Sequence, residues 1–125
     1  MVKFFSDDFF KEVETTLTAD PKWQEGTKGM KSTILLSATD LPASYLLTVE
    51  SGNTSIQKTE TPTPAEFSFE GTYEVWSRVG KGDLDLQSAV LKGSLRFKGS
   101  ITKILFYKDR FLRIADAIKG IQKEY

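Results

Sequence analysis

The residue types that most often carry enzyme chemistry are scarce in this chain of 125 residues, which contains no Cys and no His. Their absence excludes disulfides, thiolate nucleophiles, zinc held by Cys or His, and Ser-His-Asp triads. Residues 80–83, Gly-Lys-Gly-Asp, suggest a phosphate-binding loop but lack the GxxxxGK[ST] spacing. Ser100 and Lys103 could form a Ser-Lys pair, although Ser100 stands where the N-cap of a helix is expected. A turn and a helix cap are the simpler interpretations.

Two pairs of carboxylates could serve acid–base catalysis or bind a metal. Asp7 and Asp8 are adjacent, and Asp83 and Asp85 are two residues apart. Carboxylates are common in the first turn of a helix, because the positive end of the helix dipole stabilises them there. We therefore expect no catalytic residues, no metal and no cofactor, and we predict that the chain is not an enzyme.

The charge balance argues against nucleic-acid binding, because 17 basic residues face 17 acidic ones and nucleic-acid binders are usually basic. The charges are unevenly distributed: residues 40–74 carry six acids and one base, and residues 78–113 carry nine bases and three acids. The basic half predicts a weak attraction to anionic membrane surfaces. Its charges could instead belong to ordinary solvated faces. No apolar run approaches the roughly 20 residues of a membrane span.

The first elements are helical. Ser6 is placed to cap a helix over residues 6–19, whose apolar residues recur every three or four positions. Asp20 and Pro21 predict the start of a second, short helix that carries Trp23 and ends between residues 26 and 29.

The middle of the chain predicts strands. Residues 31–39 and 45–50 are rich in β-forming residues, and residues 51–53, Ser-Gly-Asn, predict a tight hairpin. Residues 54–60 are polar, as is typical of an edge strand. Residues 61–64, Thr-Pro-Thr-Pro, cannot continue a ladder and must be a connection.

The remaining segments alternate between strand and helix. Strands are predicted at 66–70 and 94–98, and short helices at 73–79 and 84–92. A long helix is predicted from residue 101 to residue 118. The order is α-β-β-β-crossover-β-α-α-β-α. Since the strands at 45–50, 66–70 and 94–98 each have one apolar and one polar face, we expect a two-layer α+β domain over residues 1–125, with one five-stranded sheet covered on one side by helices.

The stretch from residue 76 to residue 99 combines a helix, a turn containing Gly and Leu, a Gln-x-Ala motif and a Gly-x-Leu-x-hydrophobic-x-Gly strand. In this combination it resembles the sterol carrier protein 2 family, the sterol-transfer domain. Leu86 departs from the pattern, because many members have Pro there. The residues that stand at the motif positions are Leu84, Gln87, Ala89, Gly93, Leu95, Phe97 and Gly99.

The resemblance implies a mostly antiparallel sheet and an apolar tunnel between the sheet and the helices. The tunnel would hold a sterol, a fatty acid, a fatty acyl-CoA or a phospholipid. The amphipathic faces suggest which side chains line it. These are Phe9, Val13, Phe67, Phe69, Val75, Val79, Leu95, Phe97, Ile104, Leu105 and Leu112.

The function expected from these observations is a non-catalytic intracellular lipid carrier. The alternative is a solidly packed module of the same fold that serves a larger enzyme complex. The C-terminal helix could be a movable lid over the tunnel or an ordinary helix that closes the core. The peroxisomal tripeptide of animal members is absent and no export signal is recognised, so the expected compartment is the cytoplasm.

Overall fold

The computed structural model describes residues 1–42, 44–59 and 63–125. Several of its helices begin at capping residues that the sequence makes visible. Ser6 and Asp20 cap the first two helices through side-chain oxygens that accept from the backbone N–H groups of Phe9 and Lys22. The elements are β1 (Val2–Lys3), α1 (Asp7–Thr18), α2 (Pro21–Gly26), β2 (Lys31–Ala38), β3 (Ser44–Glu50), β4 (Asn53–Thr59), β5 (Phe67–Gly71), α3 (Tyr73–Lys81), α4 (Leu86–Leu91), β6 (Arg96–Lys98), α5 (Ile101–Phe106), α6 (Lys108–Gly120) and β7 (Lys123–Glu124).

The main sheet has five strands in the order β4-β3-β2-β5-β6. Only β2 and β5 are parallel, and the other three pairs are antiparallel. The predicted α+β class with a mostly antiparallel five-stranded sheet is confirmed. The polar strand β4 lies at an edge, as its composition predicts.

The predicted hairpin joins β3 to β4 through a two-residue turn, since Glu50 pairs with Asn53. Ser51 and Gly52 both have positive φ, 49° and 85°. Two such residues in succession form the turn whose twist matches that of the flanking strands. The connection predicted at residues 61–64 lies partly outside the described residues. Where the chain re-enters the sheet, the Glu66 N–H donates to Thr33 Oγ1 at 2.9 Å.

The core lies between one face of this sheet and the helices. Both tryptophans are buried in it with their indole N–H groups satisfied: Trp23 donates to Thr54 Oγ1 at 2.8 Å and Trp76 donates to the Ser37 carbonyl at 2.9 Å. These bonds tie α2 to the edge strand β4 and α3 to the central strand β2. The sheet contributes the side chains of Ile34, Leu36, Ala38, Tyr45, Leu47, Val49, Phe67 and Phe69 to the core.

The long C-terminal helix predicted from residue 101 is wrong as a single element. The structure has two helices, α5 and α6, with a bend at Tyr107, where φ is −97° and ψ is 17°. Tyr107 ends one set of helical hydrogen bonds and begins the next, since its N–H donates to the Lys103 carbonyl and its own carbonyl accepts from the Phe111 N–H. Apolar residues nevertheless recur every three or four positions on both sides of Tyr107. The apolar period therefore runs through both helices, and a period of this kind does not report a change in helix direction.

The two C-terminal helices differ in burial. α6 packs against α1, α2 and α3 and buries Phe111, Ile114, Ala117 and Ile118, whereas α5 has no buried residue. Beyond α6 the chain forms β7, which pairs in parallel with β1, and sequence patterns did not predict this two-stranded sheet. α6 therefore has the burial of a helix that closes the core.

Replacing Ile114, which is 2% exposed on α6, with Ala should lower the free energy of unfolding by about 2–5 kcal/mol. The matched control is Ile101→Ala, because Ile101 is 70% exposed on α5 and should change stability by no more than about 0.5 kcal/mol. Urea unfolding followed by circular dichroism measures both values. Equal values for the two variants would contradict the core position of α6.

Candidate functional site

An apolar cavity of about 220 Å³ lies between the end of the sheet and the helices α4, α5 and α6. Ten of its twelve lining residues are hydrophobic. The lining residues are Phe69, Leu86, Gln87, Val90, Leu91, Phe97, Ile101, Ile104, Leu105, Lys108, Phe111 and Leu112.

Aromatic rings from the sheet and α6 form the base of the cavity. Phe69 on β5 pairs with Phe97 on β6 in the strand register, and their ring centroids are 5.3 Å apart. The Phe111 ring stands edge-on to Phe69, with centroids 5.5 Å apart. Rings at such distances attract one another beyond their burial, so these contacts stabilise this wall of the cavity.

Gly99, the residue that follows β6, also shapes the site and has a φ of 143°. A Cβ atom there would lie 2.8 Å from Phe67 Cδ1 and 2.9 Å from the Glu66 carbonyl oxygen. Both distances are shorter than real Cβ contacts, so only glycine permits the chain to pass this close to β5. This close passage places the start of α5 beside the cavity.

The position of α5 depends on polar contacts. Ser100 caps the helix by accepting from the Lys103 N–H at 3.2 Å, and Lys103 Nζ lies 2.7 Å from Glu66 Oε2. Ser32 donates to the other carboxylate oxygen of Glu66 at 2.5 Å. The hydrogen bond from Lys103, followed by that from Ser32, lowers the pKa of Glu66 below its usual value, and the same pair raises the pKa of Lys103.

Two polar side chains, Gln87 and Lys108, reach the lining of the cavity. The rest of the lining offers aliphatic and aromatic surface. A ligand that fits this arrangement has an apolar body and one polar end that an amide or an ammonium group can meet. Among the described residues that line the cavity, Lys108 is the only one of a type that commonly acts as a nucleophile or as an acid or base.

Five of the eleven residues predicted to line a tunnel contact this cavity: Phe69, Phe97, Ile104, Leu105 and Leu112. The other six lie in or against the packed core and not on the cavity: Phe9, Val13, Phe67, Val79 and Leu95 are buried, and Val75 is half-buried. Whether a ligand contacts any of the eleven stays a prediction.

Seven lining residues were not predicted to line a tunnel: Leu86, Gln87, Val90, Leu91, Ile101, Lys108 and Phe111. Gln87 belongs to the Gln-x-Ala motif, and this motif was the one feature of the sequence that could have pointed to α4 as part of the cavity lining. Leu91 and Ile101 are 78% and 70% exposed, and the hydrophobic pattern does not show which exposed apolar residues border a cavity.

The possible phosphate-binding loop and the carboxylate pairs noted in the sequence have structural roles. Gly82 has a left-handed conformation and caps the C-terminus of α3, so residues 80–83 end a helix. Asp85 accepts from the Ser88 N–H as the cap of α4, and Asp7 and Asp8 lie in the first turn of α1. Within the described part of the chain, no cluster of three acidic residues could hold a metal ion.

Two larger surface clefts have mixed, charged walls. One, of about 760 Å³, is lined partly by Lys3, Asp7, Asp8 and Lys58, and the Tyr45 hydroxyl donates to Asp7 there at 2.7 Å. Burial, together with this carboxylate, raises the pKa of Tyr45. The other, of about 680 Å³, lies beside α2 and α6. Because charged side chains line both clefts, the smaller cavity under α5 is the better candidate for an apolar ligand.

The chain belongs to the SCP-2 sterol transfer family, whose profile matches residues 10–110. No curated protein sequence matches it significantly. The resemblance noted over residues 76–99 is thereby confirmed and extended to most of the chain.

Solved structures share the fold at low sequence identity. A crystal structure of sterol carrier protein 2 aligns with a TM-score of 0.85 and 17% identity, covering 96% of this chain and all of that one. A Thermus thermophilus protein described as possibly a sterol carrier protein aligns with a TM-score of 0.82 and 16% identity, covering 99% of this chain and 93% of that one. The sec-alkyl sulfatase PisA1 aligns with a TM-score of 0.64 and 18% identity, covering 97% of this chain and 17% of the sulfatase. At such identities these likenesses show the fold.

Among the described residues, no helix is both long and apolar enough to cross a membrane.

Replacing Glu66 with Gln should loosen α5 and remove a pH dependence. Since the folded-state pKa of Glu66 lies below its ordinary value of 4.5, its carboxylate stabilises the folded chain above pH 4.5, and this contribution is lost as the pH falls through the lowered pKa. We expect the NMR signals of the Lys103 and Ile104 amides to titrate below pH 4.5 in the wild type and not in Glu66→Gln. The control is Glu74→Gln on α3, which should leave the α5 titration intact.

Proposed function

We propose that the chain is a non-catalytic lipid carrier, acting as one unit of residues 1–125, that holds the apolar part of a lipid under α5. The observation that carries this proposal is the cavity lined almost wholly by hydrophobic side chains in a chain of the SCP-2 sterol transfer family. Burying an acyl chain there would contribute about 0.8 kcal/mol per methylene. The proposed compartment is the cytoplasm, which cell fractionation would test.

The dimensions of the cavity favour a slim ligand. Its volume of about 220 Å³ is below the roughly 300–1,000 Å³ typical of pockets for compact small molecules. Among sterols, fatty acids, acyl-CoA and phospholipids, a single acyl chain requires the least widening between α5 and the sheet. We therefore propose a fatty acid or its CoA thioester as the ligand.

The charge at the cavity supports an acidic head group. Lys108, at the first position of α6, is exposed and lines the cavity, and none of the described residues forms an ion pair with it. Gln87 on α4 offers an amide at the same cavity. A carboxylate or thioester carbonyl at the end of the acyl chain could accept hydrogen bonds from these two side chains.

Binding itself is tested by displacement of a fluorescent fatty acid. We expect saturable displacement by long-chain fatty acids at one molecule per chain. Val90→Trp, which puts an indole into the cavity, should abolish it, whereas Leu41→Trp, on an exposed residue outside the cavity, should not. The absence of displacement by any acyl lipid or sterol would overturn the carrier proposal.

The role of Lys108 is tested by Lys108→Met, which keeps the apolar stem and removes the charge. We expect this variant to bind a fatty acid about tenfold more weakly, the loss of roughly one hydrogen bond to a charged group, and to bind the corresponding fatty alcohol unchanged. Lys119→Met on the same helix, away from the cavity, serves as the matched control. Equal losses for acid and alcohol would show that Lys108 acts through packing.

The second candidate function is an accessory module of a larger enzyme. It is supported by the fold likeness to 17% of the sulfatase chain. Native mass spectrometry of freshly purified protein separates the two candidates, because a carrier should retain lipid and a solidly packed module should not.

A further inference from the structure

Exposed apolar side chains surround the cavity under α5. Leu91, Ile101, Leu105 and Phe106 are each about 70–80% exposed, and the first three line the cavity while Phe106 does not. We call these four residues the apolar rim. Ile101 and Leu105 lie one turn apart on α5, and Phe106 follows Leu105, so the rim forms one patch beside the cavity.

The rim lies in a segment without acidic residues. Residues 91–108 contain five bases and no acid. Arg96 and Lys98 alternate with the cavity-lining Phe97 along β6 and therefore point to the opposite face of the sheet. The bases nearest the rim are Lys92 and Lys108, together with Lys103, which pairs with Glu66.

One further base lies against the rim. The Arg110 guanidinium carbon lies 5.9 Å from the centre of the Phe106 ring, and Arg110 Nη1 donates to the Phe106 carbonyl at 3.3 Å. The acids closest in sequence or contact to these bases are Glu66 and Asp109. Four bases thus face two acids around four exposed hydrophobic residues.

The opposite charge pattern is found on α1. Its exposed residues include Asp7, Asp8 and Glu12 against a single base, Lys11, and its apolar residues are all buried. An anionic surface would repel this helix. The two ends of the molecule therefore differ in the surface that they can approach.

We propose that the protein docks on anionic lipid bilayers through the apolar rim, with Leu91, Ile101, Leu105 and Phe106 entering the interface and the neighbouring bases contacting lipid head groups. Short helices with exposed apolar residues and flanking Lys or Arg bind membranes in this way. Docking in this orientation opens the cavity toward the bilayer. It does not depend on which lipid the cavity binds, because Phe106, Lys92 and Lys103 lie outside the lining of the cavity.

A second copy of the chain is a poorer occupant of the rim. If two copies packed rim to rim, Lys92, Lys103, Lys108 and Arg110 of each would be brought together. Like charges at such an interface oppose association. An anionic bilayer supplies the opposite charge together with an apolar interior.

Flotation with vesicles of phosphatidylcholine and phosphatidylserine in equal parts tests the proposal. Phe106→Ser should weaken vesicle binding about tenfold, because the variant loses the free energy of burying one aromatic side chain in the bilayer interface. Lys92→Glu combined with Thr102→Glu should weaken it roughly 30-fold or more, because the two changes together remove one positive charge and add two negative charges beside an anionic surface. Neither Phe106, Lys92 nor Thr102 lines the cavity.

The matched controls are Leu41→Ser, an exposed leucine beyond the far end of β2, and Lys11→Glu on α1. Both should bind vesicles like the wild type. Fatty-acid displacement should be unchanged in all four variants, which separates failure of docking from failure of the cavity. The proposal is overturned if the rim variants bind vesicles normally, if Lys11→Glu alone abolishes binding, or if the wild type ignores anionic vesicles at low salt. It is also overturned if sedimentation shows a dimer that Phe106→Ser dissociates.

Discussion

The fold depends on covering one apolar face of a mixed sheet. Strand β2 lies in the middle, antiparallel to β3 and parallel to β5, and its buried face carries Ile34, Leu36 and Ala38. A parallel neighbour cannot be reached by a hairpin, so the chain has to cross the sheet between β4 and β5. The helices packed against this face supply the apolar surface that removes it from water, and burial of this kind is the main contribution to the stability of the fold.

The helices do not contribute equally to that cover. α1, α3 and α6 bury large side chains against the sheet and one another, and Trp23 and Trp76 satisfy their indole N–H groups while buried. α5 has no buried residue and is held through Ser100, Lys103 and Glu66. Segments that bury little apolar surface open more readily than the core, so we expect α5 to move more easily than α6. A rigid core and an accessible site are thus separated within a small protein.

The likeness to sterol carrier protein 2 at 17% identity has a physical explanation in this arrangement. The fold requires apolar residues at alternating strand positions and on one helix face, which many sequences satisfy. Few positions require one residue type. Gly99 is such a position, because any side chain there would collide with Phe67 and the Glu66 carbonyl. The cavity lining is less restrictive, because any hydrophobic residue of suitable volume can line it.

Much of the local structure followed from the sequence alone. The cap at Ser6, the Ser51-Gly52 turn, the polar edge strand and the α+β class depend on interactions between residues close together in the chain, and such interactions leave visible patterns. The bend at Tyr107 and the pairing of β1 with β7 depend on distant packing partners and leave no local pattern. The same holds for the residues that line the cavity. Phe69 and Phe97 were predicted, because alternation along a strand places its apolar residues on one face of the sheet. Leu86, Leu91 and Ile101 were not predicted, because helical periodicity marks an apolar face without showing whether that face meets protein, a cavity or solvent. Only the tertiary structure decides which apolar side chains pack solidly and which enclose a space, since that depends on how closely α5 approaches the sheet.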